Sequence, residues 1–415
     1  MNRLLTLLLL PLCLNAQDAT VRTWTNQQGR SIKASLVEVS GVNVVLLLEN
    51  GSRSTVPVAG LSKSDQIYIQ AMHGGPAPAV GGTKAAKAAL PLPAAPTGPL
   101  VWPAAIAVNP KAVNITQGLQ NEAERKYHYQ SGSFGFIANA PLTGTVMKEV
   151  AADFELVRTT FAAFPWGWHP KPEEGTLFKV YLTETEDDFV AIGGTDGSAA
   201  GSKDDYVFVK FSALGLKKVG AKYAYDARQK AEGQVVGMTA RLMIGDMRNL
   251  LQPWAALGME KFLRTVAYHN GALTFTNLES ALKAEIKNDL AAGAKLDLKS
   301  LVETMQSPWS AQRSNVKQIR VQNYFNGMLL VYYFGFLDGS NAGLHQYFRE
   351  VAQEAMAWRA YRETNGKSGR PEDRSKSSED IALAFQEKLL AGRDITKLAA
   401  EMAAKFKAIG IKFDN

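Results

Sequence analysis

The sequence has few of the residues that bind metals or form covalent cross-links. Its 415 residues include a single cysteine, Cys13, and only five histidines. One cysteine cannot form a disulfide within the chain, and a thiolate zinc site needs several. The fold must therefore be stabilised by its hydrophobic core.

Long apolar runs are also missing. Beyond Ala16 no stretch approaches the roughly 18 apolar residues that a membrane-spanning helix needs, so no transmembrane segment is expected. Hydrophobic residues make up 46% of the chain and charged residues 20%, which is typical of a globular protein with two or three domains. The net charge is +7, but the basic residues are scattered, so no nucleic-acid partner is expected.

The first residues have the pattern of a signal peptide. Residues 1–3 carry a positive charge and precede the apolar segment 4–14. The small residue Ala16 is suitable for cleavage by a signal peptidase. The alternative, a short membrane anchor, is disfavoured because the apolar segment as a helix would rise only about 16 Å. Cleavage after Ala16 is therefore predicted for the signal peptide 1–16, together with a secreted or periplasmic location and a mature chain without a thiol.

Residues 22–72 have the pattern of a small antiparallel β-barrel. Apolar residues alternate from Ile32 to Leu36, and the alternation slips at Val37, which indicates a bulge. A second apolar strand is followed by a turn at Gly51 and a further short strand. Ser62 is then placed to cap a short helix.

This region resembles the homology domain named after the fungal endocytic adaptor Sla, first type. The matching residues are Arg22-Thr23-Trp24-Thr25 before the strands, and Leu61-Ser62 followed by Asp65, Gln66 and Tyr68 after them. The resemblance implies a Src-homology-three-like barrel that binds proteins, including short peptide motifs. Trp24 is either a ligand platform or a core aromatic residue. Whether the cytoskeletal and ubiquitin binding of the family applies here stays open.

Residues 73–104 are predicted to be a linker. From Gly74 to Leu100, 19 of 27 residues are Ala, Pro or Gly, a composition that offers too little to bury. The linker separates the barrel from a domain predicted for residues 105–415. That domain has an α+β pattern, with strands at its start and mainly helices in its second half.

The large domain resembles secreted gluzincin-type metallopeptidases whose zinc site has been lost. The family's first long helix carries two His and a Glu, and its next helix carries a Glu within Trp-x-x-Glu-Gly. Val236, Gly237 and Ala240 occupy the positions of the first set. In the second motif Trp254 and Gly258 match, but Leu257 replaces the carboxylate. The resemblance therefore implies a pseudoenzyme scaffold without a zinc ion or another cofactor.

No alternative catalytic set is evident in the sequence. No two histidines have the spacing of zinc ligands on a helix, and no Gly-x-Ser-x-Gly elbow is present. His169 is interpreted as a loop residue. Glu260, three residues after Leu257, could be a relocated base but is predicted to be a solvated charge. The strand Tyr206-Val207-Phe208-Val209 is predicted to be a sheet edge that binds an extended peptide. In the alternative interpretation, which stays open, Met238, Leu242 and Leu257 fill the cleft as core residues.

The sequence therefore predicts a secreted or periplasmic protein that binds a protein or peptide through the barrel, the peptidase-like domain, or both. The alternatives are a hydrolase that uses unrecognised residues in the old cleft and a structural component of the envelope. The ligand and the oligomeric state stay open.

Overall fold

The structure is a computed structural model of the chain, and it divides into two compact units, residues 1–87 and 88–415. The division lies inside the predicted linker. The structure describes residues 21–26, 30–40, 42–62, 65–66, 69, 97–172, 176–203, 206–226, 232–269, 271–306, 316–339, 342–365 and 377–414. The predicted signal peptide and most of the predicted linker lie outside these residues.

The small unit contains one antiparallel sheet. Its strands, paired in chain order, are β1 (Val21–Thr25), β2 (Ser31–Ser40), β3 (Asn43–Leu48) and β4 (Arg53–Pro57). The register of β2 shifts between Leu36 and Glu38, which confirms the predicted bulge. Gly51 has a φ of 79° and closes the predicted turn between β3 and β4.

The predicted closed barrel is not found. In the described residues β1 and β4 do not pair with each other, so the sheet is open with these strands at its edges. One face of the sheet buries a small apolar core, which consists of Trp24, Ala34, Val44, Leu46, Leu61 and Ile69. Trp24 is only 1% exposed, and its indole N–H donates to the carbonyl of Ala34 at 2.9 Å. Trp24 is therefore a core residue rather than an exposed ligand platform.

The side chain of Asp65 connects the segment after the sheet to strand β1 through hydrogen bonds. Its carboxylate accepts hydrogen bonds from the Arg22 guanidinium at 2.6 Å, the Thr25 backbone N–H at 2.7 Å and the Ser62 hydroxyl at 2.9 Å. The backbone N–H of Asp65 donates to the Ser62 hydroxyl, as the predicted cap requires. Asp65 is 2% exposed, so these three donors replace water around a buried charge.

Replacing Asp65 with alanine is expected to destabilise the small unit by about 2–4 kcal/mol, because it removes the carboxylate that accepts hydrogen bonds from the Arg22 guanidinium, the Thr25 N–H and the Ser62 hydroxyl. Chemical denaturation of the full chain, monitored by hydrogen exchange of the backbone amides between residues 21 and 62, measures the loss of stability. The exposed Glu49 provides the control, and Glu49→Ala should change stability by less than about 0.5 kcal/mol. Equal effects of the two substitutions would contradict this role of Asp65.

The large unit begins with strands. Those of its described part are β5 (Ala105–Ala107), β6 (Thr116–Asn121), β7 (Lys126–Gln130), β8 (Phe134–Ala138), β9 (Phe178–Thr183), β10 (Ala200–Lys203), β11 (Tyr206–Lys210), β12 (Leu216–Val219), β13 (Lys222–Tyr225), β14 (Ala267–His269) and β15 (Ala272–Thr274). Its main sheet has the order β10-β11-β9-β8-β7-β6. Strands β8, β9 and β11 are parallel, and the other pairs in this sheet are antiparallel.

Helices dominate the second half of the large unit, as predicted. Those of its described part are α1 (Gly144–Ala163), α2 (Glu186–Ala191), α3 (Glu232–Ile244), α4 (Pro253–Thr265), α5 (Leu278–Ala291), α6 (Leu298–Gln306), α7 (Lys317–Tyr332), α8 (Ala342–Asn365), α9 (Ser378–Leu390) and α10 (Ile395–Ala408). A π-helical turn, Tyr333–Leu337, extends α7. Helix α10 begins after Asp394, whose carboxylate accepts hydrogen bonds from the N–H groups of Thr396 and Lys397. None of the described helices combines the length and apolar character that crossing a membrane requires.

Residues 97–104, the end of the predicted linker, belong to the large unit. Trp102 stacks on Phe275 and Phe336, and its indole N–H donates to the carbonyl of Gly335 at 3.1 Å. The folded part of this unit therefore starts before residue 105.

Candidate functional site

Helices α3 and α4 carry Val236, Gly237, Ala240 and Leu257, the residues compared with a zinc motif in the sequence analysis, and they pack closely together. A Cβ atom on Gly237 would lie 2.4 Å from Cγ of Arg264, and one on Gly233 would lie 2.8 Å from the carbonyl oxygen of Arg264. Glycines one turn apart on α3 thus make room for Arg264. The glutamate of the family motif could not be placed at position 237 unless Arg264 moved.

The remaining motif positions are apolar and removed from water. Val236 is 3% exposed and Ala240 is fully buried, and both belong to the main core of the large unit. Leu257, on α4, is half-buried. The structure thus brings Val236 and Ala240 together in the core, while Gly237 faces α4. None of these residues offers a side-chain donor to zinc, so the site does not fit the metal of the family.

The prediction that Glu260 is a solvated charge is wrong, because Glu260 is only 1% exposed. One carboxylate oxygen accepts from the Arg248 guanidinium at 2.9 Å, and the other accepts from the Tyr324 hydroxyl at 3.0 Å. Burial and the adjacent charge of Glu260 raise the pKa of Tyr324. These contacts connect α4 to the short 3-10 helix Gly245–Asn249 and to α7.

A second buried charge group lies between α4 and α5. Lys261 is 6% exposed and contacts the carboxylates of Glu285 and Asp289. Burial raises the pKa of Asp289. Burial acts in the same direction on Glu285, but the hydrogen bond and charge of Lys261 outweigh it and lower the pKa of Glu285.

These acidic groups are engaged in structural contacts. Both oxygens of Glu260 accept hydrogen bonds, and Lys261 contacts the other two carboxylates. Across the described ranges, no three His, Cys, Asp or Glu side chains are grouped so that they could hold a metal ion. These hydrogen bonds and ion pairs cross-link the helices.

The pairing of β11 corrects the predicted sheet edge. Tyr206–Lys210 pairs with β10 on one side and with β9 on the other, so its backbone cannot also pair with a peptide. Val207, Phe208 and Val209 are at most 2% exposed and belong to the core, whereas Tyr206 is half-buried. A charge at Val207 would therefore disrupt folding rather than test binding.

Strand β10 is one of the two edges of this sheet, the other being β6, and it contacts α3. The N–H of Lys210 donates to the carbonyl of Ala199 at 3.0 Å, which makes these two residues a hydrogen-bonded pair. Hydrogen-bonded and non-hydrogen-bonded pairs alternate along an antiparallel ladder. Gly201 and Lys203 therefore direct their backbone groups toward β11, and Ala200 and Ser202 direct theirs outward.

The outward groups of β10 have no strand partner in the described part of the chain. Within the described part of the chain, no backbone hydrogen bond or further strand engages the N–H and C=O of Ala200 and Ser202. Both residues are half-buried, so the edge lies at the surface of the large unit. The pattern of the sequence did not reveal this strand, because Ala-Gly-Ser-Lys has little β-propensity.

Comparison with known proteins adds no relative. No family model, curated protein or solved structure matches the chain. A proposal for the function must therefore rest on the contacts of β10, α3 and α4.

Proposed function

We propose that the protein is a non-catalytic protein-binding protein that is exported from the cytoplasm. The large unit binds an extended peptide, and the small unit, which resembles the Sla-type module, supplies a second binding surface. The observation that carries the proposal is the open edge of β10, where the backbone groups of Ala200 and Ser202 point outward. Addition of a peptide strand to such an edge is a common mode of recognition.

The position of β10 supports this proposal. The strand contacts α3, the helix on which Val236 and Ala240 replace the metal ligands of the resembling peptidases. A peptide bound at β10 would thus lie where those enzymes hold their substrate, but beside a helix without catalytic residues. Glu260, which could have served as a base, is held by Arg248 and Tyr324, and this arrangement favours binding over hydrolysis.

Selection from a library of short random peptides by the full chain tests the proposal. We expect bound peptides to be recovered uncleaved, as judged by mass spectrometry. Their affinity for Ser202→Pro should be about two- to tenfold lower, which is the contribution of one hydrogen bond. Proline removes the outward N–H and is tolerated on an edge strand when that N–H does not serve the sheet.

Ser202→Ala is the matched control, because it shortens the same side chain but keeps the N–H. It should bind as the unmodified chain does, and both variants should keep the melting temperature. If Ser202→Pro binds every selected peptide normally, β10 is not the binding edge. Cleavage of the selected peptides would instead support a hydrolase.

A further inference from the structure

His345 is a fully buried histidine on α8 with one ring nitrogen unpaired. Its Nδ1 accepts a hydrogen bond from the indole N–H of Trp166 at 3.0 Å. Burial and the neighbouring charge of Arg349 lower its pKa to about 4, so the ring is neutral at pH 7. A neutral ring whose Nδ1 accepts must carry its proton on Nε2. That Nε2–H has no hydrogen-bond partner in the described residues.

Arg349 lies one turn after His345 and also has a side-chain nitrogen without a hydrogen-bond partner in the described residues. Its Nε donates to the carbonyl of Pro165 at 2.9 Å, but its Nη2 is buried without a partner among the described groups. None of the ion pairs found in the described ranges includes Arg349. The two side chains share a helix face, and they contact the adjacent residues Trp166 and Pro165.

His345 and Arg349 each carry one buried donor atom that lacks an acceptor, and the two residues lie one turn apart on α8. Leaving each donor without one is costly, and such groups usually indicate a bound water molecule or ion. The guanidinium of Arg349 is half-buried and positively charged, and none of the described ion pairs gives it a carboxylate partner. An anion satisfies both donors and the charge, whereas water satisfies only the donors.

We propose that the Nε2–H of His345 and the Nη2–H of Arg349 bind a small monovalent anion of about the size of chloride. The rings of Trp102 and Trp166 lie beside His345, and Phe348 stacks on Trp166. The site is independent of peptide binding at β10. It gives the large unit a halide-dependent stability, because an anion that binds only the folded chain shifts the folding equilibrium.

Thermal unfolding of the full chain at constant sodium concentration tests the site, with gluconate replaced stepwise by chloride or bromide. We expect the Tm to rise with halide by about 2 °C or more. Arg349→Met keeps the aliphatic stem but removes the charge and the donor, and it should abolish the dependence. Arg320→Met is the control, since Arg320 is exposed and its loss should leave the dependence unchanged.

The same Tm in gluconate and halide would overturn the proposal, as would a halide effect that persists in Arg349→Met. A crystal of the unmodified chain soaked in bromide gives a second readout that requires no variant. An anomalous peak beside His345 Nε2 and Arg349 Nη2 supports the site. Density for water alone at that position refutes it.

Discussion

Replacing Gly258 with alanine is expected to cost the large unit about 3 kcal/mol or more, because α4 and α7 touch through their backbones at this point. A Cβ atom on Gly258 would lie 2.2 Å from the carbonyl oxygen of Gly327 and 2.5 Å from its carbonyl carbon. Reciprocally, a Cβ atom on Gly327 would lie 2.8 Å from the backbone nitrogen of Gly258. Backbone atoms cannot rotate away, so the helices must separate, and the cost lies at or above the upper end for overpacking.

Urea unfolding followed by tryptophan fluorescence measures this effect. Gly343, on α8, is the matched control, since a Cβ atom there would make only an ordinary contact of 3.5 Å with Leu389. Gly343→Ala should leave stability unchanged or raise it by up to about 1 kcal/mol, because alanine is the better helix former. If Gly258→Ala were as harmless as Gly343→Ala, the close approach of α4 and α7 would be wrong.

Replacing Glu260 with alanine is the second substitution with a large expected effect, about 3–5 kcal/mol. The change leaves the Arg248 guanidinium and the Tyr324 hydroxyl without their shared acceptor inside the protein. Arg248 keeps 24% of its side-chain exposure and can partly turn to water, which favours the lower end of the range. Glu260→Gln should cost less, because the amide can still accept one of the two hydrogen bonds.

The surface pair Glu279 and Lys283 on α5 provides the comparison for Glu260. Both side chains are nearly half exposed, and Glu279→Ala should cost less than about 1 kcal/mol. A double-mutant cycle of Glu260→Ala with Tyr324→Phe isolates the energy of their hydrogen bond. Additive effects in that cycle, or equal effects of Glu260→Ala and Glu279→Ala, would show that Glu260 is not held as described.

Features that depend on neighbouring residues in the chain could be predicted from the sequence. Thr185 caps α2 and Asp394 caps α10, since a cap needs only a short polar side chain and the N–H groups two or three residues later. The bulge after Leu36 was visible because a slip of one residue changes the buried face. The apolar residues of α1 recur at the spacing of a helix, and this pattern also depends only on a local stretch of sequence.

Features that depend on distant residues could not be predicted. Glu260 looked like a surface charge because its partners Arg248 and Tyr324 come from other elements, and no local spacing announces them. Strand β11 looked like an edge because β10, which covers it, has a weak strand pattern. The same limit applies to the small unit, where the strands were predicted but the open arrangement of β1 and β4 was not.

The shortness of β10 sets an upper limit on what its backbone can contribute to affinity. Ala200 and Ser202 together present two N–H and two C=O groups. At a net gain of about 0.5–1.5 kcal/mol for each hydrogen bond, all of them together give roughly 2–6 kcal/mol. A dissociation constant of 1 mM already needs about 4 kcal/mol, and association has its own entropic cost. A peptide that binds with a micromolar dissociation constant must therefore gain most of its affinity from side-chain contacts beside β10. We therefore expect the site to select particular peptide sequences.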